Sequence, residues 1–165
     1  MGSFSIAITH LKKSGLFDAL IHAANGGKNL LGICLGLQMF FENGDEGGSN
    51  KGLGLLKGQI LPLEKFCTFD VGYKIPVMGW YKLDWHIPKD DTDFSKVINT
   101  ITDEHMYFAH SFGVVPENKN VEICTLNYFN SRIIASIKEG NIFGTQFHPE
   151  KSGEAGLKVL RAFVS

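Results

Sequence analysis

The chain has 165 residues, 44% of them apolar and 20% charged, the make-up of one globular domain (residues 1–165) with a real core. A net charge of −1 gives no global field for nucleic acid or an anionic membrane, and no segment reaches the ~18 apolar residues of a membrane span. Cys34, Cys67 and Cys124 form no CxxC pair, and none of the six histidines lies at zinc-ligand spacing to a cysteine, which argues for a reducing cytoplasm and against a disulfide scaffold, a structural metal or a cofactor.

Leu16, Phe17, Leu20, Ile21 and Ala24 recur at helical spacing, and Gly26-Gly27 ends that helix. The short apolar run from Asn29 to Ile33 predicts a strand buried on both faces, as in a parallel sheet. Leu35 to Glu42 reads as a helix packing through Leu37, Phe40 and Phe41. Helix, strand, helix favours a layered α/β fold. Gly44 to Asn50 is a loop by composition. Tyr81, Leu83 and Trp85 alternate with polar residues as a half-buried strand does, and Met106 to Phe112 is another strand candidate. The acidic Asp90-Asp91-Thr92-Asp93 reads as a surface loop, with a metal site the sharper alternative. Ile133–Ile137 and Ile142–Phe147 flank Lys138-Glu139-Gly140-Asn141 as a hairpin. A last helix starts near Ser152, with Leu157, Leu160 and Phe163 on one face. Repeats, low-complexity tracts and linkers are absent from the sequence.

Gly32-Ile33-Cys34-Leu35-Gly36 has the spacing of a nucleophile elbow with cysteine as the nucleophile. The turn lifts the side chain above the sheet, the flanking glycines avoid a clash, and the amides of the next helix favour a thiolate. The N–H of Leu35 is placed for half of an oxyanion hole. A glycine-flanked cysteine alone is equally a buried core residue; the strand before it and the helix after it favour the elbow. Downstream, Gly144-Thr145-Gln146-Phe147-His148-Pro149-Glu150 leaves the last hairpin strand. His148 and Glu150, two apart, share one side of an extended backbone that Pro149 favours. They supply a general base and the carboxylate that orients it.

Together these segments resemble the class I (triad) glutamine amidotransferases, and among them the glutaminase subunits of imidazole glycerol phosphate synthases. The likeness covers nearly the whole chain: Leu31 to Gln38 around the nucleophile, glycine-rich Gly52 to Gly58, Pro76-Val77-Met78-Gly79-Trp80, Tyr107 to Phe112, and Phe147 to Ser152. It implies a three-layer, flavodoxin-like α/β domain with a mixed sheet. It also implies glutamine hydrolysis through a Cys34 thioester, with His148 and Glu150 completing the triad. Gln38, His110, Ser111 and Phe112 would bind glutamine. Ammonia would pass to a barrel-shaped cyclase subunit, with Met78, Trp80 and Lys151 matching positions near that interface. Gln38 as an exposed polar residue, His110 as a core histidine and Trp80 as plain core stay open as alternatives.

The family begins with a strand, a helix and further strands before a Pro-Gly-Val-Gly turn that supplies the other oxyanion amide. Here Gly2 aligns with the last glycine of that turn, and Met1 to Phe4 has no signal-peptide features. The expectation is an N-terminally truncated version, with Gly2 at the oxyanion hole. Val77 and Tyr81 replace a usual histidine and asparagine, and Phe66–Val71 and His86–Asp103 look long for the family. Lying near the presumed partner surface, these changes leave room for a paralogue feeding ammonia to surface-polysaccharide sugar biosynthesis. A partner-free hydrolase similar to γ-glutamyl hydrolases and a non-catalytic interaction protein are the other readings. The glycine-rich and Met-Gly-Trp segments oppose the first, and the intact triad opposes the second.

Overall fold

A computed structural model describes residues 3–86 and 101–164. The acidic stretch Asp90–Asp93, most of the long His86–Asp103 segment and Gly2 lie outside the described residues.

Two helices open the described chain, α1 (Phe4–Lys13) and α2 (Leu16–Asn25). The sequence reading did not foresee α1. Its Phe4 is fully buried under Gly44, where an added Cβ would sit 2.9 Å from the ring. Gly27, at φ 79°, ends the α2 segment as expected. Strand β1 (Leu30–Ile33) follows and runs into α3 (Leu35–Met39). Two expectations fail here. Among the described strands β1 is at a sheet edge, and Leu30, Leu31 and Ile33 are only half-buried. Helix α3 stops short of Glu42 because the glycine-rich segment takes its carbonyls. The N–H of Leu53 donates to Met39 O, and those of Leu55 and Leu56 both donate to Phe40 O. Fully buried Phe41 then starts β2 (Phe41–Gly44), which pairs parallel with β4 (Leu56–Pro62) and antiparallel with β3 (Asn50–Lys51).

A short α4 (Leu63–Phe66) leads to β5 (Val77–Lys82), and β6 (Asp84–Trp85) follows buried Leu83. The expected Met106–Phe112 strand divides at Ser111, whose carbonyl accepts from the N–H of Leu63. The halves are β7 (His105–His110), paired with β5, and β8 (Phe112–Pro116), paired with β4. The C-terminal third holds β9 (Glu122–Tyr128), the hairpin of β10 (Ser131–Glu139) and β11 (Ile142–Thr145), and helix α5 (Gly153–Val164). The buried face of α5 is Ala155, Gly156 and Val159, and Leu157 is exposed instead of facing inward. Small residues are needed there because an added Cβ at Gly156 would lie 1.9 Å from the Pro149 carbonyl oxygen.

The largest sheet has the order β1-β11-β10-β9-β6, with β1 parallel to β11 and the other pairs antiparallel. This is the mixed α/β architecture that the sequence motifs imply. One apolar cluster gathers Phe4, Leu37, Phe41, Ile60 and Ile137, and a second gathers Val77, Met106, Phe108, Leu126 and Phe147. The site lies where β1, β7 and the segment after β11 converge.

Candidate active site

Cys34 sits between β1 and α3 at φ 50°, ψ −103°, a strained conformation for any residue with a Cβ. Two features hold it. Its N–H donates to Thr145 O at 2.7 Å, and its carbonyl accepts from the N–H of Gln38 at 3.2 Å. Gly32 is needed, since an added Cβ would lie 2.5 Å from Leu37 N and 2.6 Å from Gly36 C. Gly36 is not needed in that sense, because a Cβ there would meet open space. The elbow expected from sequence is therefore present, and the close approach rests on its first glycine.

The thiol is buried, and burial pushes its pKa above the ordinary value. The Leu35 N–H and then the Gln146 side-chain amide pull in the opposite direction. The Glu150 carboxylate raises the pKa further and the Lys151 ammonium lowers it. The first amide of α3 acts in the direction expected, since the Leu35 N–H favours the thiolate, but desolvation is the larger effect.

His148 lies just before the turn Pro149–Lys151, which is helical instead of extended. The carboxylate contact forms all the same, and His148 Nδ1 donates to Glu150 Oε1 at 2.7 Å. Neighbouring chain fixes the turn. The N–H of His148 donates to Tyr107 O at 2.8 Å, Ser152 Oγ donates to His148 O at 2.6 Å, and the N–H of Tyr107 donates to Ser152 Oγ at 2.9 Å. His148 Nε2 is buried and makes no hydrogen bond, so no bond joins it to Cys34 Sγ. A base whose Nδ1 is fixed by a carboxylate and whose Nε2 is bare and buried keeps that nitrogen free to take a proton.

Cys34, Leu35, Gln38, Glu46, Ala109, His110, Ser111 and Phe112 line an open cleft of about 110 Å³. Gln38 is buried, which excludes the exposed-residue alternative. Its Nε2 donates to Phe112 O and to Gln146 Oε1, both at 3.2 Å. His110 is buried with Nδ1 donating to Phe112 O at 2.8 Å. Burial, more than the nearby His148, lowers its pKa to about 4, so it is neutral at pH 7. Three residues of the site escaped the sequence reading. Fully buried Gln146 places Nε2 3.5 Å from Cys34 Sγ, Glu46 lines the cleft while its Oε2 accepts from the Phe4 N–H at 2.7 Å, and Ser152 pins the His148 turn. Gln146 and Ser152 lie inside the segment Gly144 to Ser152, and the two-residue period from Gln146 to His148 is a usable signal for the first. Glu46 stood in a loop whose glycines concealed it.

Met78 and Trp80 are 55% and 53% exposed, so Trp80 is not core. The Trp80 ring meets Tyr107 edge-on, and Lys151 Nζ lies 5.9 Å from the centre of the same Tyr107 ring. Val77 and Tyr81, expected near the partner surface, turn inward. Val77 is fully buried, and Tyr81 packs on Phe108 and Tyr128. Among the described residues, no cluster of three or more His, Cys, Asp or Glu could hold a metal.

The family profile for class-I glutamine amidotransferases matches residues 10–165. The chain belongs to this family. It is similar to an imidazole glycerol phosphate synthase subunit HisH from Geobacillus sp. (strain WCH70), with 38% identity over the whole chain and 75% of the relative. It is also similar to the chloroplastic imidazole glycerol phosphate synthase hisHF of Arabidopsis thaliana, 39% identical over 99% of the chain and 26% of that longer protein. Among solved structures, a glutamine amidotransferase superposes with TM-score 0.69 over 99% of the chain and 76% of its own, at 15% identity. PurLQS from Thermotoga maritima gives 0.61 over 90% of the chain and 66% of its own, at 23% identity. At these identities the two structures speak for the fold. No helix among the described residues is long and apolar enough to cross a membrane.

Proposed function

We propose that the chain is the glutaminase subunit of an imidazole glycerol phosphate synthase, acting in histidine biosynthesis through a cysteine–histidine–glutamate triad in one cytoplasmic domain. The observation that carries the chemistry is a strained, buried Cys34 beside a cleft, in the same site as a histidine whose Nδ1 is held by Glu150 and whose Nε2 is bare. The relatives' names supply the pathway.

The cycle follows from those groups. The Cys34 thiol gives its proton to His148 Nε2, and the sulfur attacks the side-chain carboxamide carbon of glutamine. The Leu35 N–H takes the developing oxyanion, and Gly2 would be the second donor. Collapse breaks the C–N bond, and the leaving ammonia takes the proton from the imidazolium. Water, deprotonated by His148, attacks the thioester, and glutamate leaves as the thiol re-forms. Glu46 gives the cleft the negative charge that complements an amino-acid ammonium. Gln38, His110, Ser111 and Phe112 shape the rest. Exposed Met78 and Trp80, with Lys151 beside Tyr107, form the surface for a barrel-shaped cyclase subunit that receives the ammonia. With Val77 and Tyr81 turned inward, the departures at the Met-Gly-Trp element favour no sugar-pathway paralogue.

The test is glutamate release from glutamine by this chain, with and without a cyclase subunit. A rate that rises on adding the partner, and is lost in Cys34→Ala, is expected. Equal rates with and without the partner would point to a lone hydrolase and overturn the reading.

A further inference from the structure

We propose that Gln146 is a further residue of the reaction, a side-chain amide that donates to Cys34 Sγ and holds the sulfur in its nucleophilic form. The proposal rests on Cys34 being the nucleophile. It stands on the direction of a hydrogen-bond chain in which each link fixes the next. The Phe112 carbonyl can only accept, so the Gln38 nitrogen must face it, as it does at 3.2 Å. The same nitrogen donates to Gln146 at 3.2 Å, so Gln146 must present its oxygen there. That leaves the Gln146 nitrogen facing Cys34 Sγ, at 3.5 Å and out of water. His110 Nδ1, 2.8 Å from the same carbonyl, anchors the far end. An amide pinned through its oxygen cannot turn to offer the sulfur an acceptor.

A bond from a fixed amide to sulfur is stronger when the sulfur carries charge. It therefore favours the state in which the S–H bond has broken, the electron pair stays on sulfur and the proton rests on His148 Nε2. The other charged groups that act on the sulfur are Glu150, which opposes the thiolate, and Lys151, which favours it. The Leu35 N–H shares the task. Leu35 also faces the developing oxyanion, whereas Gln146 approaches from the β11 side. Gln146 can thus stay on the sulfur while the Leu35 amide passes to the substrate oxygen. Because Gln38 and Phe112 line the cleft, the orientation of this donor is tied to the cleft wall.

The experiment measures alkylation of Cys34 by iodoacetamide against pH, read on the Cys34 peptide by mass spectrometry so that Cys67 and Cys124 do not contribute. It uses the full chain with its cyclase partner. Gln146→Met keeps the volume and removes the donor. Its alkylation midpoint is expected to rise by about one pH unit, roughly tenfold less thiolate at neutral pH. Glutaminase kcat should fall with KM little changed, and recover in part as pH is raised. Gln38→Leu leaves Gln146 present but unpinned, and a smaller rise in the midpoint is expected. If Gln146→Met does not fold, Gln38→Leu decides alone. Midpoints unchanged from wild type would overturn the proposal. Because alkylation needs no glutamine, that failure is distinct from a failure of the glutaminase reading.

Discussion

At Cys34 two physical effects act against each other, desolvation of a buried thiol and donors aimed at its sulfur. The site carries its activation in side chains placed by other segments, so substitutions one residue away should act on rate more than on binding. Glu150 is the clearest case. Its carboxylate accepts from His148 Nδ1 at 2.7 Å while its own side chain is 43% exposed. Glu150→Gln keeps the shape and weakens the hold on the imidazole. A fall in kcat of roughly 100-fold or more is expected, with KM nearly constant, in a steady-state glutaminase assay with the partner present. A large rise in KM at constant kcat would assign Glu150 to substrate binding instead. The sequence made Cys34, His148 and Glu150 legible because each stands in a short segment whose spacing has a mechanical reason. Glu46 was not legible because its role comes from contacts across the fold, and Gln146 was marked only by sharing the two-residue period of His148.

Among the elements, helix α5 and the turn before it behave as one piece. Gly156 rests against the Pro149 carbonyl, and Ser152 bridges the turn to β7. In Gly156→Ala the Cβ meets backbone that has no other place to go, and the turn carrying His148 and Glu150 must shift. The expected result is a loss of about 1–3 kcal/mol in stability by urea denaturation, with a fall in kcat larger than the unfolded fraction explains. Unchanged kcat in the folded variant would uncouple the helix from the site. The β10–β11 hairpin was legible because apolar runs flank a Gly-Asn turn. Helix α1 was not, since Phe4, Ile6 and Ile8 fit a two-residue period while Phe4, Ile8 and Leu11 fit a helix. Only the fold decides, by burying Phe4 and leaving Ile6 57% exposed. Helix α3 was overextended because capture of its carbonyls by Leu53, Leu55 and Leu56 is a tertiary event.

For the whole molecule, His110 ties global stability to pH. Unfolded, it takes a proton near pH 6.5; folded, burial delays this until about pH 4. Between these values the unfolded chain binds more protons, so stability falls as pH drops through the window and is fully present above it. The linked loss is about 3 kcal/mol for a shift of this size. Urea denaturation at stepped pH should show wild type losing stability faster than His110→Asn between pH 6.5 and 4. Parallel curves would show that another group carries the acid sensitivity.

The parallel pairing of β1 with β11 has a further meaning for how the protein comes into being. The only strand that braces the elbow among the described residues is made more than 100 residues after Cys34, and the N–H of Cys34 itself hangs on Thr145. Closing such a long loop is slow compared with helix or hairpin formation. On the ribosome the thiol therefore emerges long before its turn can form, and the site assembles only once the C-terminal hairpin has left the exit tunnel. Until then the thiol is an ordinary exposed cysteine without a base: the bent backbone, the histidine and the amide donors reach it together, when the hairpin docks.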